Sequence, residues 1–423
     1  MGVFQELQSR GYVFQITDPG LARILDQEQL VFYAGFDPTA DSLHIGNLLV
    51  IMGMVHLQRA GHRPIGVVGG GTGLIGDPSG KSRERPLLLR ETMEKNAEGI
   101  RKQLEKFLDF SPGKNQALML NNLDWLGHLN MIGFLRDIGK HFRVGEMLAR
   151  ESVRQRMASE EGMSFTEFCY QLLQAYDFLH LCQHCNCRLQ VGGSDQWGNI
   201  TAGIELIRRL EQKEAFGMTF PLVTTASGAK FGKSESGTVW LDAKKTSPYL
   251  FYQYWMQTDD RDVLKYLKYF SLLKISEIKQ LEELLQNEPE KREAQRKLAW
   301  EVTAMVHGRD AARDAEKASA ILFGEKLEHL SDQQLLSAFD QAPSFALSKS
   351  ELARGVGLVE ILHRCGMFGS RAEAKRKIKE GGVYLNNQRI DDQNYSLNLK
   401  DLASEHFLVL RSGKKKYHLI RVD

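Results

Sequence analysis

Long hydrophobic runs are missing from this sequence of 423 residues. The longest apolar stretch, residues 48–57, is interrupted by Gly53 and His56, whereas a membrane-spanning helix needs about 20 predominantly apolar residues. The first residues show neither the pattern of a signal peptide nor that of an arginine-rich transit sequence. Glu6 stands where an N-myristoylation signal needs Ser or Thr. We therefore expect a cytoplasmic protein with no membrane partner.

Cysteine is also scarce, since the chain contains five, an odd number, which argues against a disulfide framework. Cys182, Cys185 and Cys187 lie close together in the sequence, with His184 between them. Four ligands within six residues cannot easily surround a tetrahedral zinc ion, and no second Cys/His pair follows at zinc-finger spacing. Zinc binding is the weaker alternative here. We expect a helix end with small, partly buried thiols and no metal.

Net charge is low, at +2, but it is unevenly distributed. Residues 351–423 hold 14 Lys and Arg against 9 Asp and Glu, a net charge of +5, and the remaining chain is therefore at −3. A basic module attached to a slightly acidic body is typical of a binder of phosphate-rich ligands. Many mildly basic domains bind no anion, so charge alone does not decide this point.

Short apolar runs alternate with helical patterns in the first half of the chain. A helix is predicted from about residue 43 to residue 60, capped by Asp41 or Ser42, and a second over residues 164–181, with Ser164 and Glu167 as a capping box. Strands are predicted at residues 30–36, 64–69, 117–122 and 189–193, the last followed by a helix to about residue 210. Strands that are apolar on both faces and alternate with helices indicate an α/β fold with a doubly wound, Rossmann-like parallel sheet.

Four regions are expected along the chain, in line with its length. The alternating part with the Gly-rich turns covers residues 1–236, and residues 237–323 follow with a helical pattern. Residues 324–350 hold no long periodic pattern and are predicted to be a linker. Residues 351–423 combine a basic helix, over about residues 370–381, with short strands, which predicts a small α+β domain.

Two glycine-rich segments resemble nucleotide-binding motifs only in part. GTGLIG at residues 71–76 matches the dinucleotide fingerprint, but no acidic residue ends a neighbouring strand about 20 residues later, as NAD binding requires. The following GDPSGKSRER fails as a phosphate loop, because Ile75 stands where that motif needs glycine. Glycine turns of this kind still let backbone N–H groups approach a phosphate or substrate closely.

Two other short segments have a chemical interpretation. HIGN, residues 44–47, begins the helix after the first strand, where free N–H groups and the helix dipole favour an anion such as a nucleotide triphosphate. KFGKS, residues 230–234, places two lysines three residues apart in a loop that can hold pyrophosphate by charge. Each segment by itself is equally compatible with an ordinary helix start or an exposed basic turn.

Together these segments resemble the signatures of class I aminoacyl-tRNA synthetases, and in particular the bacterial-type tyrosyl-tRNA synthetases. The resemblance covers essentially the whole chain and depends on five motifs in the family's order, which are YAGFDPTADSLHIGN, GGGTGLIGDPSGKSRER, YQLLQAYD, VGGSDQWGN and KFGKS. The C-terminal LVEILHRCGMFGSRAEAKRKIKEGGVYLNN is similar to a small RNA-binding module shared with a ribosomal protein and many pseudouridine synthases. The family implies a catalytic domain at residues 1–236, a helical anticodon-binding domain at 237–323 and a small RNA-binding domain at 351–423.

The resemblance implies a site for tyrosine. It places Tyr33 and Asp177 at the phenolic hydroxyl of the substrate. The family's further tyrosine-binding positions correspond here to Asp77, Tyr170, Gln174 and Gln196. The spacing of the sequence agrees with this assignment, because Tyr170, Gln174 and Asp177 fall at i, i+4 and i+7, on one face of the predicted helix.

The resemblance also implies an ATP site and a catalytic group. The positions that match the family's ATP-binding residues are Asp37, Thr39, His44, Gly46, Asn47, Gly193, Asp195 and Lys233. The catalytic positions, which hold the γ-phosphate and pyrophosphate, correspond to His44, Asn47, Lys81, Arg85, Lys230, Lys233 and Ser234. Two positions depart from the family pattern: Asn47 replaces a second histidine of many members, and Ala34 replaces a cysteine of some relatives.

The implied partners are tyrosine, ATP with Mg²⁺, tRNA(Tyr) and a second copy of the chain. Candidate transfer RNA contacts are Arg371, Lys375, Arg376, Lys379, Lys414, Lys415 and Lys416. The implied reaction forms tyrosyl-adenylate and pyrophosphate, and then transfers tyrosine to the 3′ end of the RNA. The alternatives are a tryptophanyl-type synthetase, which usually lacks the C-terminal module, and an RNA-binding relative that has lost catalysis.

Overall fold

The computed structural model describes most of the chain in residue detail. The described residues are 2–79, 89–158, 160, 162–226, 228, 231–234, 237–322, 332, 335–336, 339, 342–413 and 416–423, with only the backbone described at residues 152, 233–234 and 320–322. The chain divides into two compact units. The first consists of Met1–Thr246 and Gln257–Val302, and the second of Ser247–Met256 and Thr303–Asp423.

A six-stranded sheet forms the centre of the first unit. Its strands are β1 (Gln15–Ile16), β2 (Val31–Phe36), β3 (Arg63–Val68), β4 (Leu118–Asn121), β5 (Cys187–Gly193) and β6 (Phe216–Phe220). Their order is β1-β6-β5-β2-β3-β4, and all neighbours are parallel except β1 and β6. The predicted parallel sheet and its four predicted strands are thereby confirmed. The antiparallel edge strand β1 was not predicted, since two residues carry no periodic signal.

Helices cover the sheet and continue through the rest of the chain. They are α1 (Val3–Arg10), α2 (Leu21–Gln27), α3 (Ile45–Arg59), α4 (Arg90–Leu104), α5 (Leu123–Leu126), α6 (Met131–Asp137), α7 (Val144–Leu148), α8 (Glu151–Met157), α9 (Phe165–Cys185), α10 (Trp197–Glu211), α11 (Pro248–Met256), α12 (Asp260–Phe270), α13 (Ile275–Asn287), α14 (Glu293–His307), α15 (Arg309–Leu322), α16 (Lys349–Arg354), α17 (Leu358–Arg364) and α18 (Arg371–Lys379). Short 3₁₀ helices occur at Thr72–Leu74, Gly139–His141, Ser194–Gln196, Pro289–Lys291 and Leu399–Asp401.

The start of α3 corrects the predicted cap. The cap is His44, whose Nδ1 accepts a hydrogen bond from the Gly46 N–H at 3.0 Å, while the Asn47 side chain accepts one from the His44 N–H at 3.1 Å. Asp41 was the wrong prediction because its carboxylate pairs with Lys245 at 2.6 Å. Ser42 was wrong because its hydroxyl donates to the Leu43 carbonyl oxygen. The two polar residues of HIGN therefore cap their own helix.

Helix α9 begins as predicted. The Glu167 N–H donates to the Ser164 hydroxyl at 3.2 Å, and the Ser164 N–H donates to the Glu167 carboxylate at 3.4 Å, which is the expected capping box. The helix continues four residues past the predicted end and stops at Asn186, whose φ of 53° is left-handed. The cysteine-rich segment is thus a helix end, with Cys182 and Cys187 buried and Cys185 partly buried.

A second sheet organises the C-terminal part of the chain. Its strands are β9 (Ser344–Leu347), β11 (Val383–Leu385), β12 (Gln388–Arg389), β14 (Phe407–Ser412) and β15 (Lys416–Val422), in the order β12-β11-β14-β15-β9. Helices α16 to α18 accompany it, and α18 fulfils the prediction of a basic helix, capped by the Ser370 hydroxyl, which accepts from the Glu373 N–H at 3.2 Å. Strand β9 lies within the segment predicted as a linker and pairs in parallel with β15. Much of the remaining predicted linker lies outside the described residues.

Two further pairs of short strands complete the secondary structure of the described residues. These are β7 (Lys233–Ser234) with β8 (Gly237–Thr238), and β10 (Val356–Gly357) with β13 (Ser396–Leu397), both antiparallel. Within the described part of the chain, no helix has both the length and the apolar character needed to cross a membrane.

Candidate active site

Polar side chains gather where the parallel strands of the first unit end. Asp37 follows β2, Asn122 follows β4, and the 3₁₀ helix Ser194–Gln196 follows β5. A glycine turn, residues 69–71, follows β3. Because the carboxyl ends of parallel strands lie at one edge of the sheet, this edge is where a ligand is expected in such a fold.

Asp177 of α9 is held there by two donors. The Asn122 amide donates to its Oδ2 at 2.9 Å, and the Trp125 indole N–H donates to its Oδ1 at 2.7 Å. The side chain is 4% exposed. Burial is the main cause that raises the pKa of Asp177 to about 7, with a smaller contribution from Asp37, while its two hydrogen bonds act in the opposite direction.

Tyr33 of β2 shares this environment. It is 1% exposed and its ring packs against Phe178, with 5.3 Å between the ring centroids. Among the described residues, its hydroxyl has no hydrogen-bond partner. Burial, and then the nearby Asp177, raises the pKa of this phenol well above its usual range. A buried hydroxyl without a partner next to a buried carboxylate is suited to a ligand that carries its own hydroxyl group.

Asp37 connects Tyr170 to the glycine turn. The Tyr170 hydroxyl donates to Asp37 Oδ2 and the Thr72 hydroxyl donates to Asp37 Oδ1, both at 2.8 Å. The Asn122 amide in turn donates to the Thr72 hydroxyl at 2.9 Å, which links this group to Asp177. Glycine is required at position 69, because a Cβ atom there would lie 2.1 Å from Asp37 Oδ1.

A third cluster joins Asp77 to α9 and α10. The Gln196 amide donates to Asp77 Oδ2 at 2.7 Å, and the Gln174 amide donates to Gln196 Oε1 at 3.1 Å. Asn199 donates to Gln174 Oε1 at 3.0 Å. Thus the three residues predicted to share one face of α9 all reach this edge of the sheet, each through a different partner.

HIGN and the segment around KFGKS also lie next to each other. The Ile45 N–H donates to the Val239 carbonyl oxygen at 3.1 Å, and the Leu241 N–H donates to the Leu43 carbonyl oxygen at 2.9 Å. At Gly232 (φ 87°), a Cβ atom would lie 3.6 Å from the Gly46 nitrogen. The structure therefore brings together two motifs that are far apart in the sequence.

Several predicted phosphate-binding groups have no described side chain. Lys81, Arg85 and Lys230 lie outside the described residues, and Lys233 and Ser234 are described only as backbone in β7. Thr39 is exposed and its N–H donates to the Asp37 carbonyl oxygen at 2.8 Å. Gly193 is the last residue of β5, and Asp195 is half-buried in the 3₁₀ helix that follows.

The basic C-terminal candidates fall into two groups. Arg371, Lys375, Arg376 and Lys379 are exposed on α18. Lys416 donates to the Met367 carbonyl oxygen, and its ammonium nitrogen lies 5.7 Å from the Phe368 ring centroid. Lys414 and Lys415 lie outside the described residues.

One group of potential metal ligands occurs among the described residues, at Asp332, Glu405 and His406, with ligand atoms within 4.8 Å of one another. Asp332 is already engaged there. Its Oδ2 contacts His406 Nδ1 at 2.7 Å, and its Oδ1 accepts from the Ser404 hydroxyl at 2.6 Å. These contacts explain the group without an ion.

Four residues of the strand-end network were missed by the sequence analysis: Thr72, Asn122, Trp125 and Asn199. Asn122 stands at the end of a predicted strand and Thr72 within a quoted glycine motif, so their positions could have suggested them. Trp125 carries no such signal, because its role depends on a contact with a residue 52 positions away.

Family models match both parts of the chain. A model described as "tRNA synthetases class I (W and Y)" matches residues 25–324. A second, described as "Tyrosine--tRNA ligase SYY-like C-terminal domain", matches residues 334–420.

Full-length relatives and solved structures agree with these models. A tyrosine–tRNA ligase of Roseiflexus castenholzii is 52% identical over 99% of both chains, and one of Geobacillus stearothermophilus is 52% identical over 100% of both. A C-terminally truncated mitochondrial tyrosyl-tRNA synthetase of Aspergillus nidulans is 31% identical, with a TM-score of 0.70 over 76% of this chain and 94% of that chain. A tryptophanyl-tRNA synthetase of Encephalitozoon cuniculi, 16% identical with a TM-score of 0.54 over 79% of this chain and 90% of that one, shares the fold. The chain belongs to the class I aminoacyl-tRNA synthetases and, within them, to the tyrosine–tRNA ligase family.

Proposed function

We propose that the strand-end edge of the first unit is the active site where this ligase activates tyrosine with ATP before transfer to tRNA(Tyr). The observation that carries the assignment is the pair formed by the buried, doubly hydrogen-bonded carboxylate of Asp177 and the partnerless hydroxyl of Tyr33. A phenolic hydroxyl placed between them can donate to the carboxylate and accept from Tyr33. Phenylalanine would leave the Tyr33 hydroxyl buried without a partner and would offer the Asp177 carboxylate no donor.

The other end of tyrosine is assigned to the clusters around Asp37 and Asp77. An ammonium group needs acceptors, and these clusters supply carboxylate, amide and phenol oxygens from Asp77, Tyr170, Gln174 and Gln196. Asp37 is bonded to Tyr170 and Thr72, so it fixes the Tyr170 hydroxyl in place. Helix α9 carries Tyr170, Gln174 and Asp177, so it sets the distance between the residues assigned to the ammonium group and those assigned to the phenolic hydroxyl.

The triphosphate of ATP is assigned to the start of α3. In the neutral His44 ring, Nδ1 accepts from the Gly46 N–H, so the proton lies on Nε2, from which it can be donated to a phosphate oxygen. The dipole of the helix start favours the same anion. We assign Thr39, Asn47, Lys81, Arg85, Lys230, Lys233 and Ser234 to this side, and Gly193 and Asp195 to the ribose.

The chemistry needs no protein nucleophile. The tyrosine carboxylate attacks the α-phosphorus of ATP, the bond to the bridging oxygen breaks, and pyrophosphate leaves with that electron pair. A terminal ribose hydroxyl of the RNA then attacks the tyrosyl carbonyl carbon, AMP leaves, and the hydroxyl proton passes to solvent or phosphate. The groups of the site orient the carboxylate and phosphate and stabilise charge on the departing pyrophosphate.

Mg²⁺ would arrive on the phosphates of ATP. We assign it no protein ligand, because Asp37 and Asp77 already accept hydrogen bonds.

The deciding experiment is exchange of labelled pyrophosphate into ATP in the absence of RNA, with tyrosine, phenylalanine and tryptophan tested in turn. Exchange with tyrosine alone is expected. Exchange with tryptophan would overturn the assignment of Tyr33 and Asp177. A folded protein that exchanges with none of them would favour an RNA-binding relative without catalysis.

Lys233→Ala should slow exchange and leave tyrosine binding nearly unchanged. Loss of tyrosine binding would contradict the assignment of Lys233 to the phosphates.

Transfer RNA binding is assigned to the helical region at residues 237–323 and to the basic domain at residues 351–423. Residues 1–236 are assigned to the catalytic domain, and residues 324–350 to the linker. Arg371, Lys375 and Lys379 support this assignment, because they are spaced by four residues along α18, so they form one row, and all three are exposed. Arg376, Lys414, Lys415 and Lys416 complete the proposed contacts. A cytoplasmic location, where transfer RNA is charged, is part of the same proposal.

We also propose that two copies of the chain associate. Among the described residues, half of the large apolar side chains that are exposed, seven of fourteen, fall between residues 131 and 165. Met131 and Ile132 are each 71% exposed and Phe165 is 74% exposed. Such concentration is typical of an interface. Ile132→Asp should lower the mass measured by sedimentation to that of one chain, whereas Leu284→Asp, at an exposed apolar residue elsewhere, should not. An unchanged mass for Ile132→Asp would contradict the interface.

A further inference from the structure

Three aromatic rings form a continuous stack beside the Asp177 carboxylate. The Trp125 and His180 rings lie 4.4 Å apart between centroids, with 15° between their planes, and the His180 and His184 rings lie 4.1 Å apart at 23°. His184 Nδ1 is 2.9 Å from the His180 carbonyl oxygen, which fixes the outer ring. No motif of the sequence analysis included either histidine in the site.

The stack follows from the spacing along α9. Asp177, His180 and His184 are at i, i+3 and i+7, so they share one face of the helix. The Trp125 indole therefore meets this face twice. Its N–H edge donates to Asp177 Oδ1 at 2.7 Å, and its ring face lies against His180.

Trp125 itself stands on α5, a helix of only four residues that follows β4. So short a helix does not by itself hold a large side chain in one orientation. The indole is half-buried and packs against the buried cluster that contains Phe178. The His180 ring lies flat against one face of the indole, and rotation of the indole plane would take the N–H away from Asp177.

We propose that His180, backed by His184, is a positioning residue that orients the Trp125 indole and thereby the Asp177 carboxylate for tyrosine. This inference rests on the proposed role of Asp177 in tyrosine recognition. It makes His180 act through another side chain, with no contact to substrate. Burial, followed by His184, lowers the pKa of His180 to about 4, so the stacked ring is neutral at pH 7.

The test compares His180→Ala, His180→Leu and His180→Phe in pyrophosphate exchange. His180→Ala and His180→Leu should raise the KM for tyrosine about tenfold, the effect of weakening one hydrogen bond to a charged group, with little change in the KM for ATP. His180→Phe keeps a flat ring and should restore the KM for tyrosine to near the wild-type value. The ratio of kcat/KM for tyrosine to that for phenylalanine should fall and recover in the same order. His128→Ala, at an exposed histidine of the same unit, is the control and should change nothing.

Two results would overturn the proposal. The first is a folded His180→Ala protein with a lowered melting temperature and an unchanged KM for tyrosine, since that would make His180 a packing residue only. The second is equal behaviour of His180→Leu and His180→Phe, since ring stacking would then not be the cause. If His180→Ala does not fold, the comparison of the KM for tyrosine between His180→Leu and His180→Phe still tests the proposal. Failure of the proposed function would be distinct, because the wild-type protein itself would then not exchange with tyrosine.

Discussion

The two ends of the proposed active site are built in opposite ways. At the tyrosine end, Tyr33, Asn122 and Asp177 are each less than 5% exposed, and Asp177 is fixed by two donors from outside its own helix. At the phosphate end, Gly46 and Thr39 are exposed, and His44 is half-buried and caps its own helix. One end consists of buried side chains, and the other mainly of a helix start and backbone.

The difference corresponds to what each end must recognise. One uncharged hydroxyl distinguishes tyrosine from phenylalanine, and a hydroxyl is selected only where an unmatched partner would stay buried. A triphosphate carries several charges and is attracted by any set of cations and N–H groups, even where water is present. Buried side chains are therefore concentrated at the tyrosine end, which has to distinguish tyrosine from phenylalanine.

The largest expected effect tests the buried end. Asp177→Ala should lower kcat/KM for tyrosine roughly 10³-fold, because it removes the acceptor for the substrate hydroxyl and leaves the Trp125 indole N–H without its acceptor. Tyrosyl-tRNA synthetases are the standard example of such discrimination, at about 10⁵ against phenylalanine, and most of that ratio should be lost. Asp177→Asn, of similar shape, is the matched control and should lose less. A folded Asp177→Ala protein with an undiminished ratio would contradict the role of the buried end in selecting tyrosine.

A smaller effect is expected at the phosphate end. His44→Ala should lower kcat for pyrophosphate exchange about 10²-fold, the usual cost of one preorganised donor, with an unchanged KM for tyrosine. The substitution also removes a helix cap, at about 1 kcal/mol. His44→Asn keeps a capping side chain too short to reach the position of Nε2, so it should recover the stability without the rate. Recovery of both by His44→Asn would assign His44 to capping alone.

The buried carboxylate of the tyrosine end should also make the stability of the protein depend on pH. Folding raises the pKa of Asp177 to about 7 from an ordinary value of 3.8, chiefly through burial. Between those values the unfolded chain is ionised and the folded chain holds the proton, so stability is fully present below pH 3.8 and is lost as pH rises towards 7. Relative to Asp177→Asn, the wild-type protein should lose about 2 kcal/mol of unfolding free energy between pH 5 and 7 in urea titrations. Parallel curves for the two proteins would contradict the raised pKa.

The smallest effect concerns cations that lie outside both ends. Replacing Arg371, Lys375 and Lys379 together by Ser should raise the KM for tRNA roughly tenfold and reduce its dependence on salt by about two released counterions. Exchange of pyrophosphate should not change. Lys377→Ser is the control, because Lys377 already pairs with Glu380 at 2.7 Å. If the triple variant slowed exchange, these cations would not be separate from the phosphate end.

Sequence patterns predicted the parts of the structure that depend on local order. The parallel strands are apolar on both faces, and the α9 capping box and the shared face of Tyr170, Gln174 and Asp177 follow from helical spacing. The predicted cap of α3 was wrong, because Asp41 forms an ion pair with Lys245, more than 200 positions away. Trp125 was missed for the same reason, since it meets Asp177, 52 positions away, only in the folded chain.

The hydrogen bond between Ile45 and Val239 also determines when each end of the site can exist during synthesis. Every described side chain of the tyrosine network belongs to residues 33–199, so that network can form while the ribosome is still adding the rest of the domain. The phosphate end has to wait for residue 239 and for closure of a loop on the order of 200 residues, which is slow and entropically costly. A growing chain can therefore have a pocket for the amino acid before it has a complete place for ATP.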